Sequence, residues 1–441
     1  MFIRLKKTII LLGDLAALHL ALWLTIVVRY PRPQWNERYG EHWPYFLAVF
    51  FIWLLVFYIN DLYNLNLRPG KRRFLAISAN SFVASALLST LYFYLNSQSS
   101  IAPKTNLAIF VLAFALLFIV WRGLCRLLGW PQRFRSNLAI IGSGPKSDAL
   151  LKTIQENPGA GYQASLLVKT QEELTRLKDS LRNKGIRTIV VADDLGRGQE
   201  VLGHLFDCLS RQTSVFSYPD FYELMSGKVP VEAIDQNWFL ENLKEGRKRQ
   251  YHFFKRFFDL SLAFIILIFS LPFWPLVALA IKLDSRGPVF FRQTRLGREE
   301  KPFGLIKFRS MRTSGNDFSP TEENDARITR VGSFLRKSRL DELPQIINVI
   351  KGEMSFIGPR PERPEIAAEL EKLVPFYKTR LLVKPGLTGW DQISGKYHSP
   401  SPSDSLEKLQ YDLYYLKQRS LYLDLAISLR TLAIMFSQSG R

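Results

Sequence analysis

Four apolar segments in the first third of the chain place the strongest limits on its fold. They cover about residues 8–28, 43–59, 74–95 and 105–121, and each is close to the roughly 20 residues that an α-helix needs to cross a bilayer. Trp and Tyr cluster at the segment ends, as expected of side chains that anchor helices at the membrane interface. The sequence therefore predicts a membrane domain of four transmembrane helices within residues 1–135.

Lys and Arg are distributed unevenly around these segments. Basic residues precede the first segment, lie between the second and third, and follow the fourth, whereas the 96–104 loop carries only Lys104. Loops on the cytoplasmic side of a membrane carry an excess of Lys and Arg. We therefore expect both ends of the bundle to lie in the cytoplasm, in a multi-pass protein of the plasma (inner) membrane.

The chain has a formal net charge of +20 at pH 7. A charge of this size suits nucleic-acid binding, but here the cations concentrate beside the apolar segments. That arrangement indicates anionic membrane lipids as partners, and no nucleic acid. Cys125 and Cys208 lie in different segments without metal-ligand spacing, so neither a disulfide framework nor a zinc site is expected.

A fifth apolar segment, residues 257–283, has a different pattern. It is long enough to span a bilayer, but basic residues flank both of its ends, which are therefore expected on the cytoplasmic side. Pro272 and Pro275 interrupt the helical pattern near its middle. We predict a re-entrant helix that enters and leaves the membrane on one face. An ordinary fifth transmembrane helix is the alternative.

Between residues 136 and 246 the composition is that of a soluble α/β module. Strand patterns at 137–141, 164–168 and 188–192, with a glycine turn after the first, predict a Rossmann-like sheet. The dinucleotide fingerprint is incomplete, because Ser147 stands at the third glycine position and Lys169 near the place of the ribose-binding acid. We therefore expect a regulatory or assembly role here rather than NAD chemistry.

Asp341 and Glu342 are adjacent carboxylates in a segment rich in cations. Such a cluster indicates a site for an anionic, phosphorylated ligand together with a divalent metal ion. The alternative is a helix start, where acidic residues interact favourably with the helix dipole. The cations are Arg336, Lys337 and Arg339 before the pair and Arg360 after it.

Eight short motifs, one of which contains this pair, follow one another along the chain. In chain order they are Lys282-Leu-Asp-Ser285, Gly287-Pro-Val-Phe-Phe-Arg-Gln293, Lys307-Phe-Arg-Ser-Met311, Arg327-Ile-Thr-Arg-Val-Gly332, Leu340-Asp-Glu-Leu-Pro-Gln345, Gly358-Pro-Arg-Pro361, Lys384-Pro-Gly-Leu-Thr-Gly-Trp390 and Tyr411-Asp-Leu-Tyr-Tyr415. The series resembles the bacterial sugar transferases, also called monotopic phosphoglycosyl transferases or polyprenyl-phosphate hexose-1-phosphate transferases. The family has Ser directly before Pro in the re-entrant helix, whereas Leu271 separates Ser270 from Pro272 here.

The resemblance implies an enzyme of the long form of this family. Such an enzyme transfers a sugar-1-phosphate from a nucleotide sugar, with a UDP-hexose as the expected donor, to polyprenyl (undecaprenyl) phosphate. It releases nucleoside monophosphate and uses Mg²⁺ and a covalent aspartyl-phosphosugar intermediate. The nucleophile falls on Asp341, the metal-associated acid on Glu342, and the functional basic residues on Lys307, Arg336 and Arg360. Further candidates for substrate binding are Arg309, Arg339, Gln345 and Pro359.

These residue types suit phosphoryl transfer. Charge is spread over the non-bridging oxygens in the transition state, so catalysis is mostly positioning and electrostatic stabilisation. A carboxylate is a weak nucleophile, but it can attack phosphorus when arginine and a metal ion neutralise the phosphate. The competing hypothesis is a non-catalytic membrane scaffold or a nucleotide-sensing regulator of polysaccharide assembly. It gives no reason for all five catalytic candidates to be present.

We therefore expect residues 247–441 to form an α/β, helix-rich catalytic domain on the cytoplasmic face, anchored by the re-entrant helix. The resemblance implies that its product starts an exopolysaccharide, capsule or O-antigen-type glycan. Downstream glycosyltransferases are then expected partners, and a homodimer is a further hypothesis.

Overall fold

The computed structural model describes residues 2–64, 72–96, 103–128, 135–192, 203, 205–206, 213–243, 248–312, 325–394 and 401–436. The chain divides into two compact units, Met1–Ser226 and Gly227–Arg441. The two units are described separately below.

The first unit begins with four long apolar helices, as the sequence predicts. They are α1 (Phe2–Arg29), α2 (Trp35–Ile59), α3 (Arg72–Leu95) and α4 (Pro103–Leu127). All four are long and apolar enough to cross a membrane. Residues 65–71, which hold most of the basic loop expected between the second and third helices, lie outside the described residues.

The interior of this bundle is mainly aromatic. Phe46, Trp53, Phe57, Phe110 and Phe114 are fully buried, and the Trp53 and Phe114 rings meet edge to face at 5.0 Å between centroids. Aromatic pairs of this kind add to the free energy gained by burial. One ion pair also lies inside the bundle, where an Arg122 Nη atom donates to Asp14 Oδ2 at 2.7 Å and joins α4 to α1.

A parallel sheet completes the first unit. Its strands are β1 (Ser136–Ile141), β2 (Tyr162–Val168), β3 (Thr188–Val191) and β4 (Ser214–Ser217), in the order β2-β1-β3-β4. The helices between and after them are α5 (Pro145–Glu156), α6 (Gln171–Thr175), α7 (Leu177–Asn183) and α8 (Tyr218–Ser226). The strands confirm the predicted α/β module, and its assignment as Rossmann-like stays a prediction.

The second unit opens with α9 (Gln236–Asn242) and the fifth apolar segment. This segment forms α10 (Arg249–Ser270), a 3₁₀ turn (Leu271–Phe273) and α11 (Trp274–Asp284). The turn contains Pro272, so the helix changes type at the predicted break. Most of the segment is exposed, and it is long and apolar enough to enter a membrane. The re-entrant path itself stays a prediction.

Two small sheets and several helices follow. An antiparallel hairpin joins β5 (Phe290–Leu296) to β6 (Pro302–Phe308), and β7 (Ser355–Ile357) pairs in parallel with β8 (Gly386–Thr388). The helices are α12 (Arg330–Lys337), α13 (Gln345–Lys351), α14 (Pro364–Leu373), α15 (Pro402–Gln418) and α16 (Leu421–Phe436). A 3₁₀ helix, Tyr377–Leu382, lies between α14 and β8.

Helix α15 contributes to the core of this unit. Leu409 and Leu413 are fully buried and pack in one cluster with Trp238 of α9 and Val374 after α14. Val229 N–H also donates to the Gln410 carbonyl at 3.0 Å. Residues 227–243, which the predicted boundary assigns to the middle module, therefore pack in the second unit. The division at residues 246 and 247 stays a proposal.

Candidate active site

The acidic pair lies in a short turn between two helices. Helix α12 ends at Lys337, the 3₁₀ helix Leu340–Glu342 follows, and α13 begins at Gln345. The reversal between α12 and the 3₁₀ helix depends on Arg339, whose φ of 55° and ψ of 17° are in the left-handed region. Non-glycine residues rarely adopt this conformation, and strained backbone of this kind is concentrated at functional sites.

Glu342 is the centre of a three-residue ionic contact. Its Oε1 atom accepts from Lys307 Nζ at 3.1 Å and from an Arg360 Nη atom at 3.2 Å. Burial alone would raise the pKa of this carboxyl, but Lys307 and Arg360 together lower it well below its usual value. Glu342 is therefore ionised at neutral pH. Strand β6, the acidic turn and the Gly358-Pro-Arg-Pro loop each supply one member of the contact.

Asp341 has a different environment from its neighbour. It is 8% exposed, and its carboxylate forms no ion pair or hydrogen bond with any residue that the structure describes. Burial raises its pKa, Lys307 lowers it, and the adjacent Glu342 raises it again. The two adjacent carboxylates thus differ in their charge pairing. Glu342 is neutralised by two cations, whereas Asp341 has no ion pair among the described residues.

Other cations surround the pair at longer range. The charge of Arg336 lowers the pKa of Asp341, and that of Arg339 lowers the pKa of Glu342. An Arg336 Nη atom lies 3.6 Å from the sulfur of Met311, a weak acceptor that leaves most of the guanidinium's hydrogen-bonding capacity unused by this contact. Arg360 is 41% exposed at its side chain, so an incoming anion can reach its guanidinium.

Arg309 lies apart from this site. Only 3% of it is exposed, and its guanidinium donates to the carbonyl oxygens of Ser285 at 2.6 Å and Arg286 at 3.1 Å. These carbonyls follow the end of α11, where a cation satisfies unpaired acceptors. The guanidinium hydrogen bonds of Arg309 within the described part of the chain are therefore with the end of α11 and the residue after Ser285. The role of Arg309 in substrate binding stays a prediction.

The remaining two substrate-binding candidates are largely enclosed by protein. Gln345 is 4% exposed at the start of α13, next to the acidic turn. Pro359 is buried, and its carbonyl accepts from Gly386 N–H at 2.9 Å. Pro359 thus fixes the loop that carries Arg360.

Comparison with known proteins identifies the family. The bacterial sugar transferase family matches residues 250–438. A UDP-glucose:undecaprenyl-phosphate glucose-1-phosphate transferase of Escherichia coli (strain K12) is 32% identical over 352 residues, which cover 73% of this chain and 74% of the relative. This chain belongs to the polyprenyl-phosphate sugar-1-phosphate transferases, a family of bacterial sugar transferases.

Two further relatives of this sugar transferase have related names. A UDP-N-acetylgalactosamine-undecaprenyl-phosphate N-acetylgalactosaminephosphotransferase of Aeromonas hydrophila is 34% identical, over 60% of this chain and 63% of the relative. A UDP-glucose:undecaprenyl-phosphate glucose-1-phosphate transferase of Xanthomonas campestris pv. campestris is 42% identical, over 59% of this chain and 55% of the relative. The alignments thus span between about half and three quarters of these relatives.

The sugar transferase also has buried charges near Arg360 that were not among the predicted site residues. Arg380 and Asp412 are each 2% exposed, and they form an ion pair at 2.8 Å. A signal for Asp412 was present, because it lies three residues after Leu409 and four before Leu416 on the apolar face of α15. A charge on the buried face of a helix requires a partner of opposite charge, but nothing in the sequence identifies Arg380 as that partner.

Proposed function

We propose that this chain transfers a sugar-1-phosphate from a UDP-sugar to undecaprenyl phosphate, and so starts an exopolysaccharide-type glycan. The observation that carries the proposal is the asymmetry of the acidic pair. Glu342 is neutralised by Lys307 at 3.1 Å and Arg360 at 3.2 Å, while Asp341 beside it has no such contact among the described residues. The names of the relatives supply the substrates, a UDP-sugar and undecaprenyl phosphate.

The proposed reaction has two displacement steps. In the first, an Asp341 Oδ atom attacks the phosphorus that carries the sugar, the P–O bond to the nucleoside monophosphate breaks, and an aspartyl-phosphosugar forms. In the second, a phosphate oxygen of undecaprenyl phosphate attacks the same phosphorus. The bond to Asp341 then breaks, which regenerates the carboxylate and yields undecaprenyl-diphosphate sugar. A covalent intermediate divides one difficult transfer into two easier ones.

The basic residues are proposed to stabilise charge on the transferring phosphoryl group. Arg360 has a planar guanidinium that can contact two phosphate oxygens at once, and the neighbouring prolines fix the backbone around it. Lys307 supplies a compact positive charge from strand β6. Arg336 faces the same pair from the last turn of α12. Arg339 adds a fourth cation from the turn itself.

The donor atoms of the site fit Mg²⁺. Glu342 and Asp341 offer hard carboxylate oxygens, the ligand type that Mg²⁺ prefers. Mg²⁺ is suited to such a site, because it often binds through one or two carboxylates and substrate phosphates. We propose that Glu342 is its protein ligand. When bound, the ion would offset negative charge on the diphosphate.

The pH dependence of the reaction follows from the pKa of Asp341. The nucleophile must be ionised, and burial raises its pKa, so kcat/KM should fall as the pH falls through a value above the ordinary aspartate range. Lys307 lowers this pKa, so Lys307→Gln should move the acid limb to higher pH as well as reduce the rate. Rate profiles between about pH 5 and pH 8 test this. An acid limb that does not move in Lys307→Gln would show that another group titrates.

We further propose that the fifth apolar segment is re-entrant and that the second unit lies on the cytoplasmic side of the inner membrane. The basic residues at both ends of the segment support this orientation. Single cysteines at Phe253 and Leu283, which are 69% and 79% exposed, should then resist a membrane-impermeant maleimide in cells with an intact inner membrane. Both should react after permeabilisation.

This labelling experiment uses variants in which Cys125 and Cys208 are replaced by Ser. A cysteine at Ser99, in the loop expected outside the inner membrane, is the positive control and should react in intact cells. Reaction at only one of Phe253→Cys and Leu283→Cys from outside would instead establish an ordinary spanning helix.

The direct test of the proposed function is a panel of nucleotide sugars incubated with the full chain, undecaprenyl phosphate and Mg²⁺. Release of nucleoside monophosphate from at least one UDP-sugar, dependent on the lipid for multiple turnovers, is expected. A folded protein that releases nucleoside monophosphate from none of them would support the non-catalytic scaffold instead.

A further inference from the structure

The loop that carries Arg360 is held through its backbone by two other arginines. An Arg380 Nη atom donates to the Arg360 carbonyl at 3.1 Å, and an Arg295 Nη atom donates to the Pro361 carbonyl at 3.1 Å. On the other side of the loop, Gly358 N–H donates to the Thr388 carbonyl at 2.9 Å. The main chain on both sides of Arg360 is therefore fixed, whereas its side chain remains 41% exposed.

Besides the loop carbonyl, Arg380 contacts the Asp412 carboxylate and the Tyr377 hydroxyl. Its Nε atom donates to Asp412 Oδ2 at 2.9 Å, a second nitrogen lies 2.8 Å from the same oxygen, and a third donates to the Tyr377 hydroxyl at 2.8 Å. The planar guanidinium has five N–H donors in a fixed arrangement, so these contacts determine its orientation. The same guanidinium also donates to the Arg360 carbonyl, so the orientation of Arg380 helps to fix the position of the loop.

Asp412 connects this contact to helix α15. Burial raises the pKa of the Asp412 carboxyl to about 6, although Arg380 lowers it, so the carboxyl is still mainly ionised at neutral pH. The same helix, α15, also supplies Tyr415, whose hydroxyl oxygen lies 3.2 Å from the Ile357 carbonyl oxygen. Side chains of α15 thus contact the loop at two places. Tyr415 lies against Ile357, just before Gly358, and Asp412 pairs with Arg380, which donates to the Arg360 carbonyl.

A purely stabilising role gives a poor explanation for this arrangement. Removing two charges from water costs free energy that their attraction often fails to recover, and apolar replacements of buried pairs are often equally stable. Arg380 and Asp412 are both 2% exposed. A further group of charges beside them contains Glu362, Lys408 and Arg295. What the pair does provide is one defined position for the Arg360 backbone.

We propose that Arg380 and Asp412 are positioning residues of the transfer reaction, which hold the Arg360 backbone so that its guanidinium faces Glu342 and the sugar-linked phosphate. This inference rests on the proposed function, because it assigns Arg360 to the phosphate site. Neither residue touches the substrate. Their effect on the rate passes through Arg360.

The kinetic test is a double-mutant cycle in the full chain. Asp412→Asn should lower kcat by about 10- to 100-fold in the otherwise unchanged protein, because a displacement of about 1 Å in a catalytic group has effects of this size. In the Arg360→Ala background, which no longer has the side chain to be positioned, Asp412→Asn should lower kcat by less than about 3-fold further. Equal losses in both backgrounds would overturn the inference.

Two further variants accompany this cycle. Arg380→Lys keeps the charge opposite Asp412 but loses the planar donor set, and it should reproduce the kinetic loss if Asp412→Asn does not fold. Glu407→Gln is the matched control, because Glu407 lies on the same helix and pairs with Lys228, away from the loop contacts described here. Its kcat should stay within about 2-fold in both backgrounds.

A second measurement does not depend on turnover. Hydrogen exchange of a peptide covering Gly358–Glu362 should become faster in Asp412→Asn and in Arg380→Lys, but not in Glu407→Gln. Unchanged exchange in both variants would overturn the inference whatever the kinetics. An unmutated chain that releases no nucleoside monophosphate would overturn the transfer reaction, and with it the catalytic part of this inference, so the two failures are distinguishable.

Discussion

Asp341→Asn is expected to abolish transfer, with a loss in kcat of at least about 10⁴-fold, similar to the loss seen when an essential carboxylate is removed from a catalytic triad. The asparagine amide has nearly the same shape, but it lacks the negative charge that the proposed attack on phosphorus requires. Since Asp341 forms no ion pair among the described residues, the substitution should leave the fold intact. Release of nucleoside monophosphate measures the loss.

A trapping experiment identifies the step that is lost. The unmutated chain, incubated with its nucleotide sugar and no undecaprenyl phosphate, should gain the mass of a phosphosugar on the peptide that contains Asp341. Asp341→Asn should gain none. Asp179→Asn, on the exposed surface of α7 in the first unit, is the control and should be labelled as the unmutated chain is. A phosphosugar found on another residue, or on none, would refute the assignment of the nucleophile.

Arg360→Ala is expected to have the second largest effect, a loss of about 10³-fold in kcat, which is at the lower end of the range for an arginine that stabilises a transferring phosphoryl group. The substitution removes the proposed donor to phosphate, and it also removes one of the two cations that contact Glu342. Arg360→Lys should recover only part of the rate, because an ammonium cannot contact two phosphate oxygens with the geometry of a guanidinium.

Arg298→Ala is the control for this series. Arg298 is 52% exposed at its side chain and pairs with Glu299 on the surface, so its removal should change kcat by less than about 2-fold. Measuring kcat and KM for several UDP-sugars separates the two roles of Arg360. A rise in KM with an unchanged kcat in Arg360→Ala would mean that this arginine binds the ground state only, and it would contradict the proposed stabilisation of the transition state.

Regular local patterns made much of the fold predictable. The four N-terminal helices and the first three strands of the parallel sheet lie where apolar periodicity and composition place them. The two helices near the end of the chain have different environments. α15 has a buried face formed by Leu409, Leu413 and Leu416, whereas α16 exposes Leu421 and Leu425. Periodicity shows that a helix has an apolar face, but not whether protein or lipid covers it.

The sequence predicts which residues belong to the candidate site, but it does not predict how they contact one another. The residue types of the site could be read from motifs in the sequence, but their contacts could not, because Lys307 and Glu342 are 35 positions apart and Glu342 and Arg360 are 18 apart. Arg309 illustrates the difference. It lies two residues after Lys307 in the same motif, yet its guanidinium binds the end of α11. Alternation along β6 and the chain after it does not reveal which group each side chain meets.

The sequence by itself thus determined the membrane segments, the α/β module and the family, because these depend on local composition, periodicity and short ordered motifs. Only the tertiary structure decided that Glu342 is neutralised by Lys307 and Arg360, while Asp341 has no ion pair among the described residues. It also decided that the buried pair of Arg380 and Asp412, 32 positions apart, contacts the loop of Arg360. The physical reason is that burial and charge pairing depend on distances between segments that are remote in the chain, and those distances are fixed only when the segments pack together.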